Sequence, residues 1–230
     1  MTDRTLAGIS SMAMRHVLAE LGDAYGQRTS ETVTIVSVGG VDAARRVGAG
    51  EAFDFVVLAA DAIEQLAAGG RVDPDSRVDL ARSSVAMAVA AGAPRPDLSS
   101  ESAVRDALLH ARSIGYSTGP SGAHLKRLVE RWGIADAVAA RMVQASPGIP
   151  VGTLVARGEV ELGFQQLSEL MDEEGIELLG TLPPEVQAVT IFSAAVCSAS
   201  TRPEAAKAAL SFLASREADA VKRRHGMEPA

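Results

Sequence analysis

Short apolar runs alternate with amphipathic ones along most of the chain. Thr5–Ile9, Val33–Val38 and Phe53–Leu58 are rich in β-branched and large apolar residues and read as strands. Met12–Tyr25 puts Met14, Val17, Leu18, Leu21 and Tyr25 on one side of a helix. Asp42–Val47 reads as a short helix ending near Gly48, and Ala62–Ala68 as one closed by Gly69-Gly70. This βαβαβα order predicts a parallel sheet covered by helices on both faces. Ser84–Ala90 is a long apolar strand. The stretch after it, Ala91–Ser100, is rich in Gly, Pro, Asp and Ser and is the best linker candidate.

After residue 100 the alternation restarts. Helices are expected at Glu101–Ala111, Gly122–Trp132, Ala135–Ala140, Val151–Ala156 and Leu167–Met171, and strands at Ser113–Tyr116, Met142–Gln144, Val160–Phe164 and Ile176–Leu179. A second long apolar strand, Val186–Cys197, precedes helices Pro203–Ser215 and Ala218–His225. Two long strands thus bracket a middle βα unit. We expect lobe one at residues 1–88 plus 192–230 and lobe two at 89–191, with two crossings that permit hinging and a ligand cleft between the lobes.

Composition narrows the function. Of 230 residues, 47% are hydrophobic and only 3% aromatic, so the cores must be built from Ala, Val, Leu, Ile and Met. The formal net charge of −7 supplies no basic field for nucleic acid or an anionic membrane. An anionic ligand must then be attracted locally. No apolar leader precedes Thr5 and no run reaches the ~18 apolar residues needed to span a bilayer. A cytoplasmic protein is expected, or a periplasmic one if a leader has been removed. The single cysteine, Cys197, lies in an apolar run and reads as a small buried hydrophobe. No Cys/His cluster has metal spacing and no Gly-x-Ser-x-Gly elbow exists, so neither metal nor cofactor is expected.

Candidate chemistry sits where strand-like runs meet small polar turns that open helices: Ser10-Ser11, Gly39-Gly40, Ser117-Thr118-Gly119-Pro120-Ser121-Gly122 and Ser146-Pro147-Gly148. Such turns leave backbone N–H groups at the positive end of a helix dipole, with no bulky side chain in the way. Converging on one cleft, they would form a socket for a small anion.

Five motifs in order carry a family resemblance: Ser10-Ser11 before a helix, the run from Gly39 to Leu58, Gly119-Pro120-Ser121-Gly122, the run from Leu154 to Phe164, and Lys222-Arg223-Arg224-His225-Gly226. Together they make nearly the whole chain similar to the molybdate-binding type of periplasmic solute-binding protein. The resemblance implies a two-lobed α/β fold of type II, with two crossover strands and an oxyanion held in the interlobe cleft by backbone N–H groups and hydroxyls. Its first serine falls on Ser10 or Ser11. Its second-loop serine falls on Gly40, so that hydroxyl is missing here. Its amide contacts fall on Ser121 and near Gly148. Its late tyrosine falls on Gln166, so a second hydroxyl is missing. These departures argue for an anion other than a tetrahedral oxyanion. The family also includes isomerases of small unsaturated carboxylates such as aconitate. A cytoplasmic isomerase of a di- or tricarboxylate is therefore expected, the alternative being a non-catalytic solute-binding protein of an ABC-type system, with a permease as partner if exported.

Each candidate has a plain reading beside the functional one. Ser10 and Ser11 could serve only as N-caps of the first helix. Gly39 and Gly40 could be a tight turn. Ser117, Thr118, Gly119, Ser121 and Gly122 exceed what a turn requires and are assigned to the ligand. Arg15, one turn after Ser11, could clamp a carboxylate or simply be solvated. Gln165 and Gln166, at a strand's carboxyl end, suit a polar ligand. His16 and His124 are the histidines nearest the loops, either one able to move a proton. Ser11 and His124 are the catalytic candidates. His110, His225, Arg45 and Arg46 read as surface residues.

Overall fold

The computed structural model describes residues 4–146 and 148–230. Its elements in chain order are β1 (Thr5–Ser11), α1 (Arg15–Arg28), β2 (Thr32–Val38), α2 (Gly40–Gly48), β3 (Phe55–Ala59), α3 (Ala60–Ala68), β4 (Val78–Ala90), α4 (Glu101–His110), β5 (Ile114–Tyr116), α5 (Pro120–Arg131), α6 (Ala135–Val138), β6 (Met142–Gln144), α7 (Val151–Ala156), β7 (Leu162–Gln166), α8 (Leu167–Leu170), β8 (Ile176–Thr181), β9 (Val189–Val196), α9 (Pro203–Leu213), α10 (Asp219–Arg224) and β10 (Glu228–Pro229). Contacts divide the chain into two units, residues to Arg82 with Thr190–Ala230, and Ser83–Val189. Both boundaries fall within or at the end of a long strand, and Ala91–Ser100 lies inside the second unit.

In the first unit the strands run β2-β1-β3-β9-β4, with β10 on the far side of β4. β1 pairs parallel with β2 and with β3, while β9 and β10 run antiparallel to their partners. The sheet is therefore mixed rather than parallel throughout, because the returning chain enters it without a crossover helix. Its two faces carry separate cores. Leu6, Phe55, Val57, Phe192 and Ala194 face α1, α9 and α10, and Ile9, Val56, Leu58 and Ala195 face α2 and α3. Each fully buried Phe removes enough apolar area to contribute about 2–3 kcal/mol. Asp54 holds the returning chain: its carboxylate accepts from the Ala7 N–H at 2.9 Å and the Ser200 hydroxyl at 2.6 Å.

The second unit orders its strands β8-β4-β7-β5-β6, parallel across β7-β5-β6 and antiparallel on both sides of β4. Phe164 and Met87 sit in its main core with Leu125, Leu128 and Val129 of α5. The expected strand Val186–Cys197 begins only at Val189. Before it, the Gln187 side chain stands in for a strand partner, its Oε1 accepting from the Val85 N–H at 2.9 Å and its Nε2 donating to the Val85 carbonyl at 3.1 Å. Among the described residues no helix is long and apolar enough to cross a membrane.

Candidate functional site

In the first unit, parallel pairing aligns the carboxyl ends of β1, β2 and β3 with the helix starts that follow them. Ser10 lies opposite Ser37, and their hydroxyls are 2.9 Å apart. Ser10 is fully buried and its hydroxyl also donates to the Ser11 carbonyl at 3.2 Å. Neither serine caps a helix with its side chain. Ser11 occupies the N-cap of a 3₁₀ turn, Met12–Met14, with extended backbone (φ −69°, ψ 156°) and no side-chain cap bond. Its Oγ is buried and has no hydrogen-bond partner among the described residues, although the residue is only 8% exposed.

α1 begins at Arg15, so the 3₁₀ turn separates it from Ser11. The expected helix from Met12 therefore opens with a 3₁₀ turn and becomes α-helical at Arg15. Arg15 is exposed, with its guanidinium 3.4 Å from His16 Nε2. His16 stacks on His225 with ring centres 6.1 Å apart, and His225 meets Glu20 at 2.9 Å. That histidine pair belongs to a surface cluster in which the bonds from His225 and then Arg224 hold the Glu20 carboxyl below its usual range. Gly39 and Gly40 open α2. A Cβ at Gly40 would meet Ser11 Cβ at 3.7 Å and Leu58 at 3.9 Å, ordinary contact distances, and one at Gly39 would meet nothing within 4 Å. Gly40 therefore borders Ser11. Arg45 and Arg46, on the same helix, bond Asp42 and Glu51.

In the second unit, the turn between β5 and α5 is built on its own hydroxyls. Ser117 Oγ lies 3.1 Å from Ser121 Oγ and accepts from the Gly119 N–H at 3.2 Å. α5 starts at Pro120, two residues earlier than expected, with Gly119 at the N-cap and no side-chain cap bond. Ser121 is 1% exposed and Thr118 is exposed. Gly122 has a packing reason: a Cβ there would fall 1.8 Å from the Ser117 carbonyl oxygen. Two residues on, His124 Nε2 lies 2.7 Å from the Val186 carbonyl. Burial lowers its pKa, against the opposing bond to Val186, and because that carbonyl can only accept, Nε2 carries the proton in this bond.

Gly148 is exposed with φ +82°, a conformation that favours glycine, while Pro147 lies outside the described residues. α7 opens three residues later, and its first N–H, from Val151, donates to Gln165 Oε1 at 2.8 Å. Gln165 Nε2 in turn donates to Glu169 Oε1 at 2.8 Å. Gln165 and Gln166, expected just after a strand, are the last two residues of β7 and are 2% and 1% exposed. Gln165 thus spends its amide on its own fold.

A family model described as "Bacterial extracellular solute-binding protein" matches residues 6–228. The chain belongs to that family. A relative from Pseudomonas sp named "Aconitate isomerase" is 39% identical over 230 residues, covering 98% of this chain and 88% of its own. The solved Azotobacter vinelandii periplasmic molybdate-binding protein superposes with a TM-score of 0.80 at 20% identity, covering 96% of this chain and 98% of that one. PEB3 of Campylobacter jejuni, solved with L-phospholactate bound, gives 0.73 at 11% identity over 98% and 100%. These likenesses bear out the expected family and its type II fold.

The sequence reading of this solute-binding protein missed Glu169. It sits partly buried in the first turn of α8, where desolvation raises its pKa to about 7 despite the bond from Gln165. Beside it, Ser168 Oγ is buried with no partner among the described residues. The available signal was an acid inside the apolar run Leu167–Met171. Cys197 is 3% exposed, and burial followed by Asp54 pushes its thiol up to about 12, so no thiolate forms at neutral pH. Among the described residues no cluster of three or more His, Cys, Asp or Glu could hold a metal ion. What remains is a set of neutral donors: free or shared hydroxyls at Ser11, Ser117 and Ser121 and the amides opening α2 and α5.

Proposed function

We propose that this protein binds a small di- or tricarboxylate through helix-start amides and serine hydroxyls, and that it isomerises this anion by shifting a proton. The observation that carries the binding reading is Ser11: a buried hydroxyl with no partner among the described residues, beside the side-chain-free start of a nine-residue helix. Leaving such a group unsatisfied costs about 1–3 kcal/mol, and an oxyanion removes that cost by accepting from it. Gly40 in the first unit, and Ser117, Thr118 and Ser121 in the second, offer further donors of the same kind. Helix-start amides also stabilise charge that grows on an enolate-like intermediate, which is where catalysis needs it.

The proton-shift reading is supported by the relative named aconitate isomerase, 39% identical over almost the whole chain. Neutral donors suit a carboxylate better than a selective tetrahedral site, since Gly40 offers no hydroxyl. The second reading, a non-catalytic binding component of an ABC-type system, draws on the family description and on the molybdate-binding neighbour. Incubation with trans-aconitate in D₂O, followed by NMR, decides between them. Isomerisation with deuterium uptake supports the enzyme, and a thermal shift without turnover supports the binding component. A panel of trans-aconitate, citrate, molybdate and sulfate ranks the anions, because a ligand at 100 times its Kd stabilises by about 2.7 kcal/mol.

A further inference from the structure

We propose that the first unit carries a second anion site, at the end of β1 opposite Ser11, which takes the carboxylate of a small monoanion with an apolar body. This site stands whether or not the protein is an isomerase. An open cavity of about 670 Å³ lies between the start of β1, the end of α1 and the start of α9. Arg4, Tyr25, Glu31, Arg202, Ala205 and Ala208 line it, all within one contact unit. β1 and β2 enter the sheet here, where the Thr32 N–H donates to the Arg4 carbonyl at 2.9 Å, whereas Ser11 closes the other end of the seven-residue β1.

Three kinds of unused donor meet at this cavity. The first is the Tyr25 phenol. Tyr25 is 8% exposed, with its ring packed on Phe212 at 5.4 Å between centres, and its hydroxyl has no hydrogen-bond partner among the described residues. The charges of Glu31 and Arg202 both act on the phenol, and both residues line the cavity, which places the hydroxyl at its wall. Burial and then Glu31 raise its pKa against the opposing pull of Arg202, so it keeps its proton at neutral pH and can donate it. The second is the start of α9, an eleven-residue helix with Pro203 in its first turn and no side-chain cap. The Ala206 N–H donates to the Arg202 carbonyl at 3.0 Å, which leaves the Glu204 and Ala205 N–H groups without acceptors at the positive end of the dipole. The third is Arg4, whose guanidinium has no ion pair or hydrogen bond among the described residues. A helix start alone would be ordinary. The nine-tenths buried phenol with its one polar atom unpaired at the same wall marks a place for an acceptor.

The surrounding charges set the class of ligand. Arg202 is committed: its Nη2 donates to Glu31 Oε2 at 2.7 Å and its Nη1 to the Thr5 carbonyl at 3.3 Å. Glu204 lies 3.7 Å from Lys207 Nζ. Arg4 is therefore the uncommitted charge among the six lining residues named, and a single cation near two acids suits one negative charge and disfavours a dianion. A guanidinium fork, a phenol and backbone amides are all donors, as the two oxygens of a carboxylate require. Ala205 and Ala208 stand three residues apart on one face of α9 and leave a small apolar floor for the body of the ligand.

The test uses benzoate as probe, with benzyl alcohol and inorganic phosphate as controls, in an amide NMR titration of the full chain. We expect benzoate to saturate in the millimolar range and to shift the Glu204 and Ala205 amides. Benzyl alcohol and phosphate should each bind at least about tenfold more weakly. Tyr25→Phe keeps the packed ring and should weaken benzoate about threefold to tenfold, whereas a tyrosine that serves only the core would leave its affinity unchanged. Arg4→Ala should weaken it at least about tenfold. Benzoate that does not saturate overturns the proposal, as do shifts at the start of α2 in place of α9, benzyl alcohol binding equally well, or phosphate binding more tightly. Wild-type affinity in either variant overturns it too. If Tyr25→Phe does not fold, Arg4→Ala and the position of the shifted amides decide.

Discussion

At the scale of single residues, the serines and glycines of the turns separate into groups that hold the fold and groups that are free for a ligand. Ser11 makes no cap bond, so Ser11→Ala should not carry the ~1 kcal/mol penalty of a lost N-cap. Removing a buried, unpartnered hydroxyl should leave stability unchanged or slightly raised in urea unfolding, while weakening trans-aconitate binding severalfold in thermal shift. A loss of 1 kcal/mol or more with intact binding would instead mean a structural hydroxyl. Gly122 is the opposite case. Its missing Cβ makes room for the Ser117 carbonyl, so Gly122→Ala must displace the backbone of the turn. We expect a loss of about 3 kcal/mol or more by urea unfolding, whereas Gly40→Ser, whose Cβ would meet Ser11 and Leu58 at ordinary contact distances, should stay within about 0.5 kcal/mol of wild type. Sequence alone marked these turns through their composition. It could not separate Ser11 from Ser10, or Gly122 from Gly40, because the difference lies in what the folded chain sets opposite each one. Helical spacing from Ser11 does not fix the direction of Arg15, because the residues between them fold as a 3₁₀ turn.

At the scale of elements, α7, β7 and α8 form one hydrogen-bonded device in which a carboxyl titrates near neutrality. Its linkage to folding has a definite sign. The folded pKa of Glu169, about 7, lies above the 4.5 of the free group, so the folded state holds the extra proton between those values. The stabilising contribution is complete below pH 4.5 and is lost as pH rises through 7. Its size is on the order of 2–3 kcal/mol. Glu169→Gln should match wild type near pH 4.5 and exceed its stability by that order at pH 8. His124 titrates in the same window with its pKa lowered by burial, so only the difference between variant and wild type isolates Glu169. Urea midpoints from pH 4.5 to 8 check this, and parallel curves for the two proteins would remove Glu169 as the titrating group. Most elements were legible, since each strand and helix of the βα repeats carries its own periodicity: α7 falls on Val151–Ala156 as expected, and β6 on Met142–Gln144. The antiparallel direction of β9 was not legible, because pairing direction leaves no mark on an apolar run, and β10, only Glu228-Pro229, is too short to carry a period. The Gln187 elbow, which substitutes a side-chain amide for a strand, was invisible for the same reason.

At the scale of the whole molecule, an acidic protein of net charge −7 is assigned an anionic ligand, so binding must draw on oriented neutral donors working against the overall field. That opposition has a measurable consequence. Raising ionic strength from about 10 mM to 150 mM shortens the screening length from about 30 Å to 8 Å and removes most of the long-range repulsion. A site built on arginine or lysine would lose affinity under this change, whereas this one should hold or gain affinity for trans-aconitate by isothermal titration. Hydrogen exchange should show amides at the start of α2, beside Ser11, gaining protection when trans-aconitate is added, by a factor approaching 100 at 100 times the Kd where exchange proceeds through global opening. Unchanged exchange there at saturating trans-aconitate would mean that Ser11 and the start of α2 do not hold the ligand, and the binding reading would fall.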